Sequence, residues 1–165
     1  MRELQVVDAS ELAAAYAAAH YAVVLDGDTV PLRVGHPASD LEAYCPAQRY
    51  VFITAWNPAS EPHSDSANET ADALLVGQVD AIGVQRYAAW AECPDGEWHE
   101  PGWLLADLDG PTTELLAQEF GQVAVLCWQR GQPVRLRMLL ERPREHPVPE
   151  AIAAFTDWVD DVAAA

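Results

Sequence analysis

Glu100 stands in "GEWHEPGW" (residues 96–103), where Trp98, Pro101 and Trp103 surround one carboxylate with apolar bulk. Removing water from a carboxyl group disfavours its charged form, so such a flank raises the pKa toward the range of general acid–base work. Glu100 is therefore the candidate acid or base, against the plainer reading of a solvated carboxylate on an acidic surface. His99 beside it, and His63 with Asp65, are donors a metal would use. No HxH or HxxxH pair occurs, however, and His20, His36 and His146 fall in unrelated segments, so neither a metal nor a cofactor is expected. The cysteines at 45, 93 and 127 are far apart and lack CxxC spacing. Cys127 lies in an apolar run and reads as core, as do Trp90 and Trp128, while Cys45 and Cys93 precede prolines without an assignable histidine base. No GxSxG, P-loop or GxGxxG signature is present.

Uncharged polar groups recur at three other places. "YVFITAWNPAS" (residues 50–60) starts as a buried strand and ends on Thr54, Trp56 and Asn57; Asn68 follows in "SANETADALL", and Gln122 in "EFGQ". Each has a structural reading beside a ligand-binding one. Asparagine before proline opens turns by bonding nearby backbone, Thr54 can satisfy a sheet neighbour, Asn68 can serve helix entry, and Gln122 can hold the last helix carbonyls.

The elements that must position these groups follow from periodicity. "SELAAAYAAAH" predicts a helix capped by Ser10 with Leu12, Tyr16 and Ala19 on one face. Residues 21–34 predict a hairpin around Asp26-Gly27-Asp28, its second strand at an edge because Pro31 cannot donate. Residues 35–48 read as loop with room for one helical turn after Ser39. A strand runs from Arg49 to about Trp56. Ser66 and Glu69, in capping-box spacing, open a helix whose stripe is Ala71, Leu74, Leu75, Val79 and Ile82 and whose stop is Gly83. "VQRYAAWAE" and "WLLADL" are strands joined by the loop 93–102. Pro111 to Phe120 is a helix with Leu115, Leu116 and Phe120 inward, and "QVAVLCW" and "PVRLRML" form a hairpin around residues 130–133. A proline-rich connector (143–149) leads to a last helix with Ile152, Phe155, Val159 and Val162 on its apolar side.

Between 49 and 128 the order is strand, helix, strand, strand, helix, strand. This predicts an α+β fold, a ferredoxin-like split βαβ sandwich with an antiparallel sheet and helices on one face, extended by the N-terminal hairpin and a C-terminal strand and helix. Another α+β sheet, with the N-terminal hairpin central, is the competing topology. Residues 1–142 form one domain, with 143–165 packed upon it. Tracing strand directions brings the loops 57–65 and 93–102 and the junction at Gly121-Gln122 to one end of the sheet, so Thr54, Trp56, Asn57, Asn68, Trp98, Glu100 and Gln122 converge there as ligand-binding candidates.

Charge restricts the partners. The 165 residues carry 26 Asp and Glu against 9 basic residues, all arginine, for a formal net charge of −17. Such a surface repels phosphate backbones and anionic lipids, so direct nucleic-acid or membrane binding is not expected. The N-terminal "MRELQVVDAS" lacks a charged-then-apolar signal pattern and no apolar run reaches a bilayer span, which predicts a cytoplasmic protein. An edge strand at 22–34 or 134–140 leaves monomer and homodimer both open.

"LRVG" (32–35), "FITAWNP" (52–58), "SANETADALL" (66–75), "WHEPGWLLADL" (98–108) and "AQEFGQVAVLCW" (117–128) together resemble the bacterial domain of unknown function 3293 family over roughly residues 11–138. The resemblance implies that Thr54, Trp56, Asn57, Pro58, Asn68, Trp98, Glu100, Pro101, Phe120, Gly121 and Gln122 stand at the family's recurring motif positions. Gly102 departs from it, since the family often has serine there. The resemblance implies no established activity.

Three functions follow as expectations. The first is a non-catalytic domain binding a small polar ligand or a protein segment at the shared end of the sheet. The second is a small hydrolase or transferase using Glu100 as acid or base, and the third an acidic nucleic-acid mimic that inhibits a DNA-binding partner.

Overall fold

The computed structural model describes residues 8–144 and 148–161. Val162, His146 and the middle of the proline-rich connector lie outside these residues. α1 (Ala9–Ala18) is capped by Asp8, whose Oδ1 accepts from Ser10 N, rather than by Ser10 itself. β1 (His20–Leu25) and β2 (Asp28–Leu32) form the expected hairpin, with Asp26 and Gly27 at φ 50° and 83°, the left-handed pair of a type I′ turn. Pro31 sits opposite Ala22, and β2 is an edge of the sheet. α2 (Ser39–Tyr44) is the single short helix for which the loop had room.

β3 (Arg49–Ile53) stops before the expected Trp56. Thr54 Oγ1 accepts from Trp56 N at 3.0 Å, a local bond that turns the chain out of the ladder. α3 (Asp65–Ile82) begins a residue before Ser66, because Ser64 has extended backbone and its Oγ accepts from Ala67 N. The Ser66–Glu69 capping box is thus not used. Leu75 and Val79 are buried in the expected stripe, while Leu74 (60 %) and Ile82 (45 %) are exposed. β4 (Arg86–Glu92) pairs with β5 (His99–Ala106) down to Glu92↔His99, and Cys93 N donates to Trp98 O. The connecting loop is consequently shorter than predicted, and Glu100 and Pro101 belong to β5.

α4 (Gly110–Glu119) buries Thr113, Leu116 and Ala117, followed by Phe120, whereas Leu115 faces outward. The stripe rotates because Thr113 donates its hydroxyl to Asp109 O at 2.7 Å, which makes it a tolerable core residue at helical spacing. β6 (Ala124–Gln129) and β7 (Arg135–Met138) form the predicted hairpin, with Leu136 and Met138 inward and the two arginines outward. The expected C-terminal helix is corrected: α5 (Glu150–Ala153) is one turn, and β8 (Thr156–Trp158) follows it, parallel to β7. Burial alternates at period two there, with Thr156 and Trp158 inside and Asp157 paired with Arg135 outside.

The fold is α+β. Its eight strands lie in one sheet in the order β2-β1-β4-β5-β3-β6-β7-β8, antiparallel except for the last pair. Instead of forming an open layer, the sheet curls until Val34 bridges Val134 and Pro37 bridges Pro133. The extra strands on both flanks let right-handed twist accumulate far enough to bring the margins together. α3 and α4 pack on one face over Val51, Ile53, Leu105 and Val125. The concave face holds Tyr21, Phe52, Leu104, Leu126 and Leu136, with α1 packed against it. Among the described residues no helix is long and apolar enough to cross a membrane.

Candidate functional site

The pairings place the ends of β3 and β4 beside the beginnings of β5 and β6. A cavity of about 260 Å³ opens there, between α1 and the concave face of the sheet. Alternation explains its lining: Phe52 and Thr54 share one face of the chain at β3, Glu100 shares that of Gly102 and Leu104 in β5, and Gln122 that of Ala124 and Leu126. From α1, Leu12, Ala15, Tyr16 and Ala19 cover it.

Glu100 is the half-buried carboxylate of this cavity. Its Oε1 accepts from Trp98 Nε1 at 2.7 Å and from Asn57 Nδ2 at 2.8 Å. Its Oε2 takes no hydrogen bond among the described residues and no salt bridge forms there. Burial pushes the carboxyl above its ordinary value; the bonds from Asn57 and Trp98 and the charge of His99 pull the other way without cancelling it.

Behind Glu100 lies an amide lock. Asn68, 2 % exposed, accepts from Asn57 N at 2.9 Å through Oδ1, while its Nδ2 donates to Asn57 Oδ1 at 3.0 Å. His63 N donates to the same Asn57 oxygen. Every polar atom of the Asn57 side chain is thereby engaged, and its Nδ2 is aimed at Glu100. This rigidity is needed because Asn57, Ala59 and Ser60 all have left-handed φ, near 49°, 58° and 58°. Such angles are uncommon for non-glycine residues and persist where the surroundings over-determine them. Ala59 N donates to Gly121 O at 2.7 Å and Gln122 Nε2 to Trp56 O at 3.1 Å, which ties the turn to the end of α4.

Of the seven candidate residues, Thr54, Trp98, Glu100 and Gln122 line the cavity. Asn57 and Asn68 stand behind Glu100 and fix it. Trp56 joins the network through its backbone, and its ring is not part of the lining. Thr54 donates to Pro101 O at 2.8 Å, so its hydroxyl serves the β3–β5 junction, and Gln122 also donates to Phe120 O. Tyr16 and Ser60, hydrogen-bonded to each other, were missed as site residues. The sequence places Tyr16 on a helix face, and it carries a signal there: a lone hydroxylated aromatic among alanines. Its phenol is pushed up by burial first and by the Glu100 charge as well, against the Ser60 bond. Tyr21, also in the lining, donates to Tyr16 O. Cys93 reaches the cavity too, whereas Cys45 is buried and Cys127 half-buried, both elsewhere. His99 is not part of the lining; its Nδ1 lies 3.4 Å from Glu92 Oε2 and its ring beside that of Trp90. Among the described residues no group of three or more His, Cys, Asp or Glu is arranged to hold a metal.

The family model described as protein of unknown function (DUF3293) matches residues 53–125. Over these residues the chain is similar to the DUF3293 family. The match is shorter than the 11–138 span of the sequence resemblance, but it contains all seven candidate residues. The matched segment therefore supplies the Asn57–Asn68–Glu100 network and most of the cavity wall, while α1, outside it, supplies the cover. Gly102, where the family often has serine, lies under β3: a Cβ there would stand 2.8 Å from Ile53 O and 3.0 Å from the Phe52 ring. No curated protein and no solved structure matches the chain.

Proposed function

We propose that this protein is a small-ligand-binding domain whose site is the cavity between α1 and the concave face of the sheet. The carrying observation is a carboxylate held by two side-chain donors on one oxygen, with the other free, in an otherwise largely apolar cavity. Binding sites join apolar walls to a few positioned polar groups in this way, and about 260 Å³ lies just below the roughly 300–1,000 Å³ of drug-sized pockets, which suits a small molecule. The antiparallel order β4-β5-β3-β6, with α3 and α4 on one face, supports reading residues 49–128 as a ferredoxin-like split βαβ core onto which the other strands are added.

A thermal-shift screen of small molecules tests the reading, with Ala15→Trp as the blocked control. Ala15 is exposed at the rim of the cavity, so the larger ring obstructs entry without entering the core. A site-directed ligand stabilises the wild type by mass action and leaves the variant unchanged. A library without any compound that distinguishes the two proteins overturns the reading.

A catalytic second reading is favoured by one observation: Glu100 lines the cavity with its carboxyl raised by burial and with no hydrogen bond to Oε2 among the described residues, as suits an acid or base. Retention of activity by Glu100→Gln on a substrate turned over by the wild type would eliminate it.

A further inference from the structure

We infer that the cavity takes a small protonated organic amine, its ammonium group on the free oxygen of Glu100 and its hydrocarbon body between α1 and the sheet. This rests on the reading of the cavity as a ligand site. Charge selects the class: the lining holds Glu92 and Glu100 but no arginine, lysine or histidine among the described residues, and the chain's net charge is −17. An anion entering would meet these two carboxylates with no cationic side chain in the lining, His99 lying outside it against Glu92. A neutral donor would gain only an ordinary hydrogen bond, whereas an ammonium gains a charge-assisted one in surroundings poor in competing water.

Geometry supplies the rest. Asn57 and Trp98 occupy Oε1 and hold the carboxylate plane, so Oε2 is presented without reorganisation when a ligand arrives. An ammonium carries three donors, and the oxygens of the Tyr16–Ser60 pair are further acceptors in the same lining. Leu12, Ala19, Phe52, Leu126 and Leu136 offer hydrocarbon to the body of the ligand. The Tyr21 and Phe52 rings, edge to face at 5.3 Å, add aromatic surface that favours a cation over a neutral group.

Calorimetric titration with benzylamine, benzyl alcohol and benzoate, matched in shape and differing in charge, tests the inference at mildly alkaline pH. Benzylamine is expected to bind at least about tenfold more tightly than benzyl alcohol, as a charge-assisted bond exceeds a neutral one, with no binding of benzoate. Glu100→Gln should abolish the preference for the amine, and Ala15→Trp should abolish binding. Should Glu100→Gln fail to fold, the wild-type ranking and the Ala15→Trp result decide alone. Equal affinity for amine and alcohol, preference for benzoate, or amine binding unchanged by Glu100→Gln overturns the amine assignment. If benzyl alcohol binds equally well and Ala15→Trp blocks it, the cavity remains a ligand site and only its charge preference is refuted. Absence of binding by benzylamine overturns the assignment, and the broader screen above then judges the site separately.

Discussion

Gly121 approaches Pro58 so closely that a Cβ built upon it would lie 2.8 Å from the proline Cβ. Its φ of 64° adds a second reason for glycine. The pair joins the Asn-Pro turn to the Gly-Gln junction, and the Ala59 N–H···O bond to Gly121 clamps them. Gly121→Ala is expected to destabilise the fold by about 2–4 kcal/mol, combining left-handed backbone cost with overpacking. Gly131→Ala is the control, since Gly131 has φ 82° with open space around it, and about 1–2 kcal/mol is expected there. Urea unfolding of both variants measures the difference, which belongs to the Pro58 contact.

Asn68 holds the backbone of Asn57 as well as its side chain. Asn68→Ala leaves the Asn57 N–H without its acceptor in a half-buried setting, and the expected loss is roughly 2–3 kcal/mol. Asn68→Asp keeps the acceptor but sets a carboxylate against Asn57 Oδ1, so it should not restore stability. Denaturant melts give the energies, and rescue by aspartate would show that the second bond is unimportant.

Glu42 makes a comparable anchor outside the site. Nearly buried in α2, it accepts from Gly131 N at 2.7 Å and from Trp128 Nε1 at 3.3 Å. Glu42→Ala strands both donors and is expected to remove about 2–4 kcal/mol, while Glu42→Gln, which keeps one acceptor oxygen, should lose less than half as much. Equal losses in the two variants, measured by urea unfolding, would mean that packing rather than these bonds sustains the α2 contact.

The hairpin at Asp26-Gly27, the edge position of Pro31 and the alternation in β7 were legible because each depends on local chemistry or period. The meeting of Asn57, Glu100 and Gln122 was legible too, since strand directions alone bring their segments to one end. The cover was not, because nothing in "SELAAAYAAAH" states which face of the sheet its Tyr16 edge will meet. Curling of the sheet depends on Val34 and Pro37 reaching Val134 and Pro133, about a hundred residues away in the chain, and no local signal encodes that. The C-terminal segment misled by periodicity: Ile152, Phe155 and Val159 fit a helix, yet Trp158 is buried at 2 % beside Met138 in a strand. Tertiary packing of one large aromatic outweighed the helical pattern.

Glu100 makes stability depend on pH with a definite sign. Its native carboxyl lies above the ordinary value of 4.5, so between that value and the raised one the native state binds more proton than the unfolded chain. Its contribution is therefore complete below the unfolded value and is lost as pH rises through the native one. Tyr16, Tyr21 and Cys93, all pushed up, stay protonated through this window, while His99 faces Glu92 and lowers the Glu100 carboxyl by its charge. The stability of the wild type relative to Glu100→Gln should thus decline across the window and level off above it. Trp98→Phe removes a donor that favours the carboxylate, so it should move the Glu100 titration upward and carry the end of the decline with it. Carbon-13 titration of the Glu100 carboxyl in both proteins reads the shift directly, and a downward movement in Trp98→Phe would show that the indole opposes the charge instead of holding it.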